Sequence, residues 1–239
     1  IALPYTMTTI AGGASANCSA ATDNFGDGCP ATSIVFGGSL DLRSVVTDPF
    51  GNVYLTDAVA SVVRRIAPNG VISDFAGKIS GTTCAPTATV GCVPTQVSIN
   101  KARGVASDSQ GNVYIAGYNS HEVFKVSARD GLLYLVAGAG TAGSAGDGGP
   151  ATSAQVNGPR GVWADAVGNV YIADTSNNKI RIVDITGNIH TFAGTGTSSS
   201  TGDGGPATSA TISNPQGVMT DANLNVYIAD SSRVRVVCV

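Results

Sequence analysis

The chain has 239 residues, a formal net charge of -3, 12% charged residues and 43% hydrophobic residues, with 31 glycines and 10 prolines. That balance is too apolar for intrinsic disorder and lacks the periodic glycine of collagen, and the longest nearly unbroken apolar run, Gly131 to Gly140, is about half a membrane span. Thirteen Lys and Arg without a basic run leave no footprint for phosphates, so nucleic acid and membrane insertion are excluded as expected partners.

The chain opens on Ile1 with no charged and apolar leader before it, so a targeting segment was removed or never included. Cys18 and Cys29 bracket one polar loop, and Cys84 and Cys92 bracket another. Neither pair has CxxC spacing or a nearby histidine, so two local disulfides are expected rather than metal sites, with Cys238 left over. Asn17-Cys18-Ser19 is a glycosylation acceptor sequence. A single glutamate, Glu122, and abundant Ser, Thr, Gly and Ala also suit an extracellular or cell-surface location.

Internal repetition organises everything that follows. Gly51-Asn52-Val53-Tyr54-Leu55-Thr56-Asp57, Gly111-Asn112-Val113-Tyr114-Ile115-Ala116-Gly117, Gly168-Asn169-Val170-Tyr171-Ile172-Ala173-Asp174 and Leu224-Asn225-Val226-Tyr227-Ile228-Ala229-Asp230 superimpose, their tyrosines 60, 57 and 56 residues apart. In the third copy the pattern predicts strand a over Gly161 to Asp165, b over Asn169 to Asp174, c over Lys179 to Asp184 and d over Asn188 to Gly194. Four short antiparallel strands at this period make one β-propeller blade. The fourth copy stops after strand c at Val239, while the ending of strand d recurs at Thr9-Ile10-Ala11-Gly12. The expectation is therefore an all-β propeller of four blades, one domain over 1–239, with repeats near 14–78, 79–140, 141–196 and 197–239. The N-terminal strand, 5–13, pairs with the last blade to close the ring and remove its edges.

These GNVYIAD segments, the Gly-Val before them, and the loops Gly146-Asp147-Gly148-Gly149-Pro150-Ala151-Thr152 and Gly202-Asp203-Gly204-Gly205-Pro206-Ala207-Thr208 resemble the NHL-repeat propeller family. The resemblance implies a propeller used mostly as an extracellular interaction module, with a minority of lyase-like enzymes. Family propellers usually carry five or six blades. A closed four-bladed ring is preferred here, beside a fragment of a longer propeller and an open ring completed by a neighbouring subunit.

Asp48, Asp108 and Asp165 each precede a glycine by three residues, a turn signature. In the fourth copy Leu224 replaces the glycine, so Asn223 or Asn225 is expected to take the left-handed position. On the face carrying the long loops, strand a begins beside Arg43, Arg103, Arg160 and Gln216, and strand b ends at Asp57, Gly117, Asp174 and Asp230. Arg and Asp of one blade are expected to pair. Arg103 lacks a carboxylate opposite it and is free for an anionic ligand or a partner's carboxylate, and Asp230 lacks a guanidinium. These residues, with His121, are the candidate ligand site. Asp27, Asp147 and Asp203 in the glycine-rich loops are weak calcium candidates, each a lone carboxylate at a spacing unlike an EF-hand, so no cofactor is expected.

His190 reads as a surface residue, since Ser73, Tyr134 and Thr8 hold its position elsewhere. His121, Glu122 and Arg103 form the one cluster capable of acid-base work, too little to expect an enzyme; a lyase centred on His121 is the weakest reading. The expected role is a binding or scaffold module for a protein or glycan partner. The alternative is a structural subunit of an assembly joined to its copies by N-terminal strand exchange.

Overall fold

The computed structural model describes residues 6–22, 26–36, 41–77 and 84–238. Within them the first blade contains β1 (Leu42–Thr47), β2 (Val53–Asp57), β3 (Val62–Ile66) and β4 (Ile72–Gly77). The second contains β5 (Ala102–Ser107), β6 (Val113–Gly117), β7 (Glu122–Val126) and β8 (Leu133–Ala137), and the third β9 (Gly161–Ala164), β10 (Val170–Asp174), β11 (Lys179–Val183) and β12 (Ile189–Ala193). The fourth has β13 (Gly217–Thr220), β14 (Val226–Asp230) and β15 (Arg233–Val237). Every sheet is an antiparallel meander in chain order, and in the third repeat the predicted strands match within a residue or two at either end. The chain thus has four blades in a β-propeller arrangement. Residue 5 of the expected closing strand, residues 78 and 79 at the first repeat boundary, and Val239 lie outside the described residues.

Strand alternation gives each blade two apolar faces, which only a neighbouring blade can cover. Tyr54, Val63 and Ala76 of the first blade pack against Val105, Ile115, Phe124 and Leu133 of the second. The same layer recurs between the second and third blades and between the third and fourth, where Tyr171, Ala173 and Ile180 meet Ile212, Val218 and Ile228. The inner strands pack in sequence, β1 on β5, β5 on β9 and β9 on β13. Contact there is close enough to demand glycine: a Cβ on Gly104 would lie 2.2 Å from the Arg160 carbonyl oxygen, and one on Gly161 would lie 2.8 Å from Gly217 Cα.

Each blade is pinned at its a–b turn. Asp48 accepts the backbone amides of Phe50 and Asn52 on Oδ1, and the Asn52 amide and the Tyr54 hydroxyl on Oδ2. Asp108 and Asp221 repeat this set with their own Asn and Tyr. Burial opposes the ionised Asp48, yet the Asn52, Tyr54 and Phe50 hydrogen bonds hold its carboxyl below the usual range. In the fourth blade Leu224 itself, and not Asn223 or Asn225, takes the left-handed position, with φ 67°. The reason is that Asp221 captures the amides of both asparagines, and Leu224 N–H bonds the Asp221 carbonyl as Gly51 N–H bonds Asp48.

The expected ring closure is not found among the described residues. Residues 6–10 form no strand, the fourth sheet has three strands, and no packing like that of β1 on β5 joins β13 to β1. The N-terminal segment stays on the first blade's side, where Gly12 N–H bonds the Ala31 carbonyl, as Gly138 N–H bonds Ala151 and Gly194 N–H bonds Ala207.

Candidate ligand-binding face

The expected pairing of Arg and Asp within a blade is corrected by the structure. Asp174 is fully buried and pairs with Arg181 of β11 at 3.3 Å, while also accepting the Asn157 backbone amide and the Asn177 side-chain amide. Burial pushes the Asp174 carboxyl up against these contacts. Asp230 pairs with Arg235 of β15 at 3.5 Å and accepts Ser213 N–H, and Asp57 caps Val59 and Ala60. Asp174 and Asp230 therefore pair with third-strand arginines, and Asp57 with its own turn, instead of with the inner-strand arginines.

The same third-strand arginines take the glycine-loop carboxylates, because each long loop folds back over its own blade through bridges such as Pro150 to Asn188. Arg181 bonds Asp147, which also accepts the Thr191 hydroxyl at 2.5 Å; Arg64 meets Asp27 at 2.5 Å and Asp74 at 2.7 Å; Arg235 meets Asp203 at 2.5 Å. Burial works against the charge of Asp147, but Thr191 and Arg181 hold its carboxyl below the usual range. The oxygens of the three calcium candidates are thus directed at guanidinium groups. In the second blade all three partners are lost together: Gly117 ends β6, Phe124 stands on β7, and the loop has no aspartate before Cys92, which is bonded to Cys84. Sequence reasoning missed this set, although the joint loss of loop Asp, strand b Asp and strand c Arg in one repeat was its signal. Cys18 and Cys29 are bonded as expected, Cys238 is free and exposed, and Asn17 Oδ1 accepts Val35 N–H.

The inner-strand arginines gather at the loop face. Arg103 lies over the Tyr118 ring with its guanidinium carbon 4.3 Å from the centroid, Arg160 approaches the same ring at 5.2 Å and Lys101 at 5.9 Å. Arg43 pairs with Asp41, and Arg160 donates to Gln216 of the fourth blade. Arg103 forms no ion pair among the described residues, and the Nε atoms of Arg103 and Arg160 are buried without hydrogen-bond partners. Burial, then the like charges of Arg160 and Arg43, lower the Arg103 pKa, and hydrogen bonding to Arg160 lowers that of Tyr118. Cations outnumber carboxylates here on a chain that is acidic as a whole, which is the electrostatic setting for an anion. His121 points its Nδ1 at Gly158 N–H, 3.1 Å away. Glu122, the next residue along, is pushed up to about 7 by burial. His190 is exposed and sits beside Asp184 at 3.2 Å.

Comparison with known proteins agrees with this architecture. The model of the teneurin NHL domain matches residues 110–201. No curated protein matches the chain in sequence. Among solved structures, an auxiliary nutrient binding protein from Bacteroides thetaiotaomicron superposes with TM-score 0.58 at 20% identity, over 83% of this chain and 46% of its own. The virginiamycin B lyase of Staphylococcus aureus gives 0.51 at 11%, over 83% and 55%, and a chain of a nidogen/laminin complex 0.53 at 15%, over 84% and 65%. The chain spans about half the length of the first solved structures it matches. The family match and these propeller-like neighbours support an NHL-repeat β-propeller.

Proposed function

We propose that this propeller is a non-enzymatic, extracellular or cell-surface binding module whose loop face takes a carboxylate-bearing protein or glycan, with no cofactor. The observation that carries the reading is the Arg103 guanidinium, stacked on Tyr118, flanked by Arg160 and Arg43, and without a carboxylate partner among the described residues. A planar fork held against a ring presents its donors in fixed directions, which suits bidentate capture of a carboxylate. Similarity to a nutrient binding protein and to a chain of a nidogen/laminin complex supports a binding role, and likeness to a lyase keeps an enzyme as the second reading.

Calorimetric titration with poly-glutamate and with polygalacturonate tests this. The native protein should bind at least one, more weakly as salt rises, and Arg103→Ala should weaken binding about tenfold. Binding that ignores Arg103→Ala and Arg160→Ala, or none to either polymer, overturns the proposal.

A further inference from the structure

The cleft between the first two blades, at their a–b turns, is built unlike its counterpart one junction on. It encloses about 430 Å³, against about 220 Å³ between the second and third blades. Phe50, Tyr54, Phe75, Val93 and Pro94 give it an aromatic and apolar lining, with Tyr54 and Phe75 meeting edge to face at 4.6 Å. Phe50 holds a turn position taken by Gln110, Val167 and Asn223 in the other copies. Its ring reaches across the junction: a Cβ on Gly111 would lie 2.5 Å from it, while 66% of the residue stays exposed.

One cation stands among these rings. Arg65 pairs with Tyr54 across the sheet, where Lys125, Ile182 and Val236 pair with the tyrosines of the other blades, so the fold itself does not require a charge there. Arg65 forms no ion pair among the described residues, and its Nε is buried without a hydrogen-bond partner. The two carboxylates lining the cleft are engaged elsewhere, Asp74 with Arg64 at 2.7 Å and Asp48 with four donors of its own turn. A guanidinium held against aromatic surface without a counter-charge carries a desolvation cost that an incoming anion offsets. Asp48 and Asp74 also set the charge of that anion: one negative charge matches Arg65, and a dianion meets their repulsion.

We propose that this cleft is a second ligand site, for a small aromatic monocarboxylate, with the carboxylate on the Arg65 fork and the ring against Phe50 and Phe75. A cleft of this volume, apolar in lining and with one convergent cation, has the form of a small-molecule site. The planar guanidinium suits bidentate capture of a carboxylate, and the rings suit an aromatic body. The inner strands run from Arg43 and Arg103 at the loop face to Asp48 and Asp108 at the turns, so the two sites lie at opposite ends of those strands and fill independently.

Calorimetric titration of the 239-residue protein with 2-naphthoate and with 3-phenylpropionate tests the proposal. At least one should bind saturably, and its neutral carboxamide should bind about tenfold more weakly. Arg65→Gln should cost about tenfold in affinity and Phe50→Ala several-fold, whereas Arg103→Ala should change nothing, which separates this site from the loop face. Should Arg65→Gln fail to fold by circular dichroism, the comparison of acid with amide on the native protein decides. Saturable binding of neither acid overturns the proposal. So do amides bound as tightly as acids, affinities untouched by Arg65→Gln and Phe50→Ala, or a loss with Arg103→Ala as large as that with Arg65→Gln.

Discussion

The imidazole of His121 accepts the backbone amide hydrogen of Gly158 across the junction between the second and third blades. Ser61 Oγ accepts Lys101 N–H at the junction before it, and Asn178 Oδ1 accepts Asn214 N–H at the one after. One latch is thus built from three different side chains, each on a residue with positive φ. His121→Asn should leave unfolding in urea within about 0.5 kcal/mol of native, and His121→Ala should cost about 1 kcal/mol. A much larger loss with Asn would mean that the imidazole does something the latch does not.

Arg181 is wholly buried between Asp147 and Asp174. Replacing it with the phenylalanine found at the same place in the second blade strands the buried Asp174 carboxylate. Arg181→Phe is expected to cost about 3–5 kcal/mol, and Asp174→Asn added to it should recover part of that loss. Denaturant unfolding of the two singles and the double gives the coupling, and strict additivity would refute the pairing.

Glu122 carries a pH signature. Its carboxyl is raised to about 7 in the folded chain against an ordinary value near 4.5, so the native state holds its proton longer than the unfolded state. The cost of the buried charge is absent below pH about 4.5, grows through the window up to 7, and is full above it. Glu122→Gln should therefore stabilise the fold at pH 8 by up to about 2 kcal/mol after allowance for partial solvent access, seen as a higher melting temperature, and leave it unchanged at pH 4. Equal effects at both pH values would assign the gain to packing.

Tyr118 is the platform for Arg103. Tyr118→Ala should weaken poly-glutamate or polygalacturonate binding several-fold, the scale of an exposed cation–π contact of about 0.5–1 kcal/mol, while Tyr118→Phe keeps most of the affinity. Titration of both variants distinguishes the ring's face from its hydroxyl.

The blades were legible in the sequence because strand alternation and the Asp-to-Gly turn repeat in register, and Tyr54, Tyr114, Tyr171 and Tyr227 mark the same strand each time. The partner of Asp174 was not legible: matching it to Arg160 follows strand order, whereas Arg181 reaches it diagonally from the third strand, where side-chain length decides. The count of repeats also says nothing of whether the ring shuts. That depends on whether residues at opposite ends of the chain meet, which local repeat patterns do not encode.

The blades do not share one kind of cohesion. The third relies on Arg181 between carboxylates; acid that protonates Asp147, held below its usual range, takes that attraction away as pH falls through its lowered pKa. The second has Phe124 in place of that arginine and a Cys84–Cys92 bond in its loop, indifferent to acid and vulnerable to thiols. The first has both devices, Arg64 with Asp27 and Cys18 with Cys29. Acidification and reduction should consequently open different parts of one molecule, and neither stress alone should disarm the first blade.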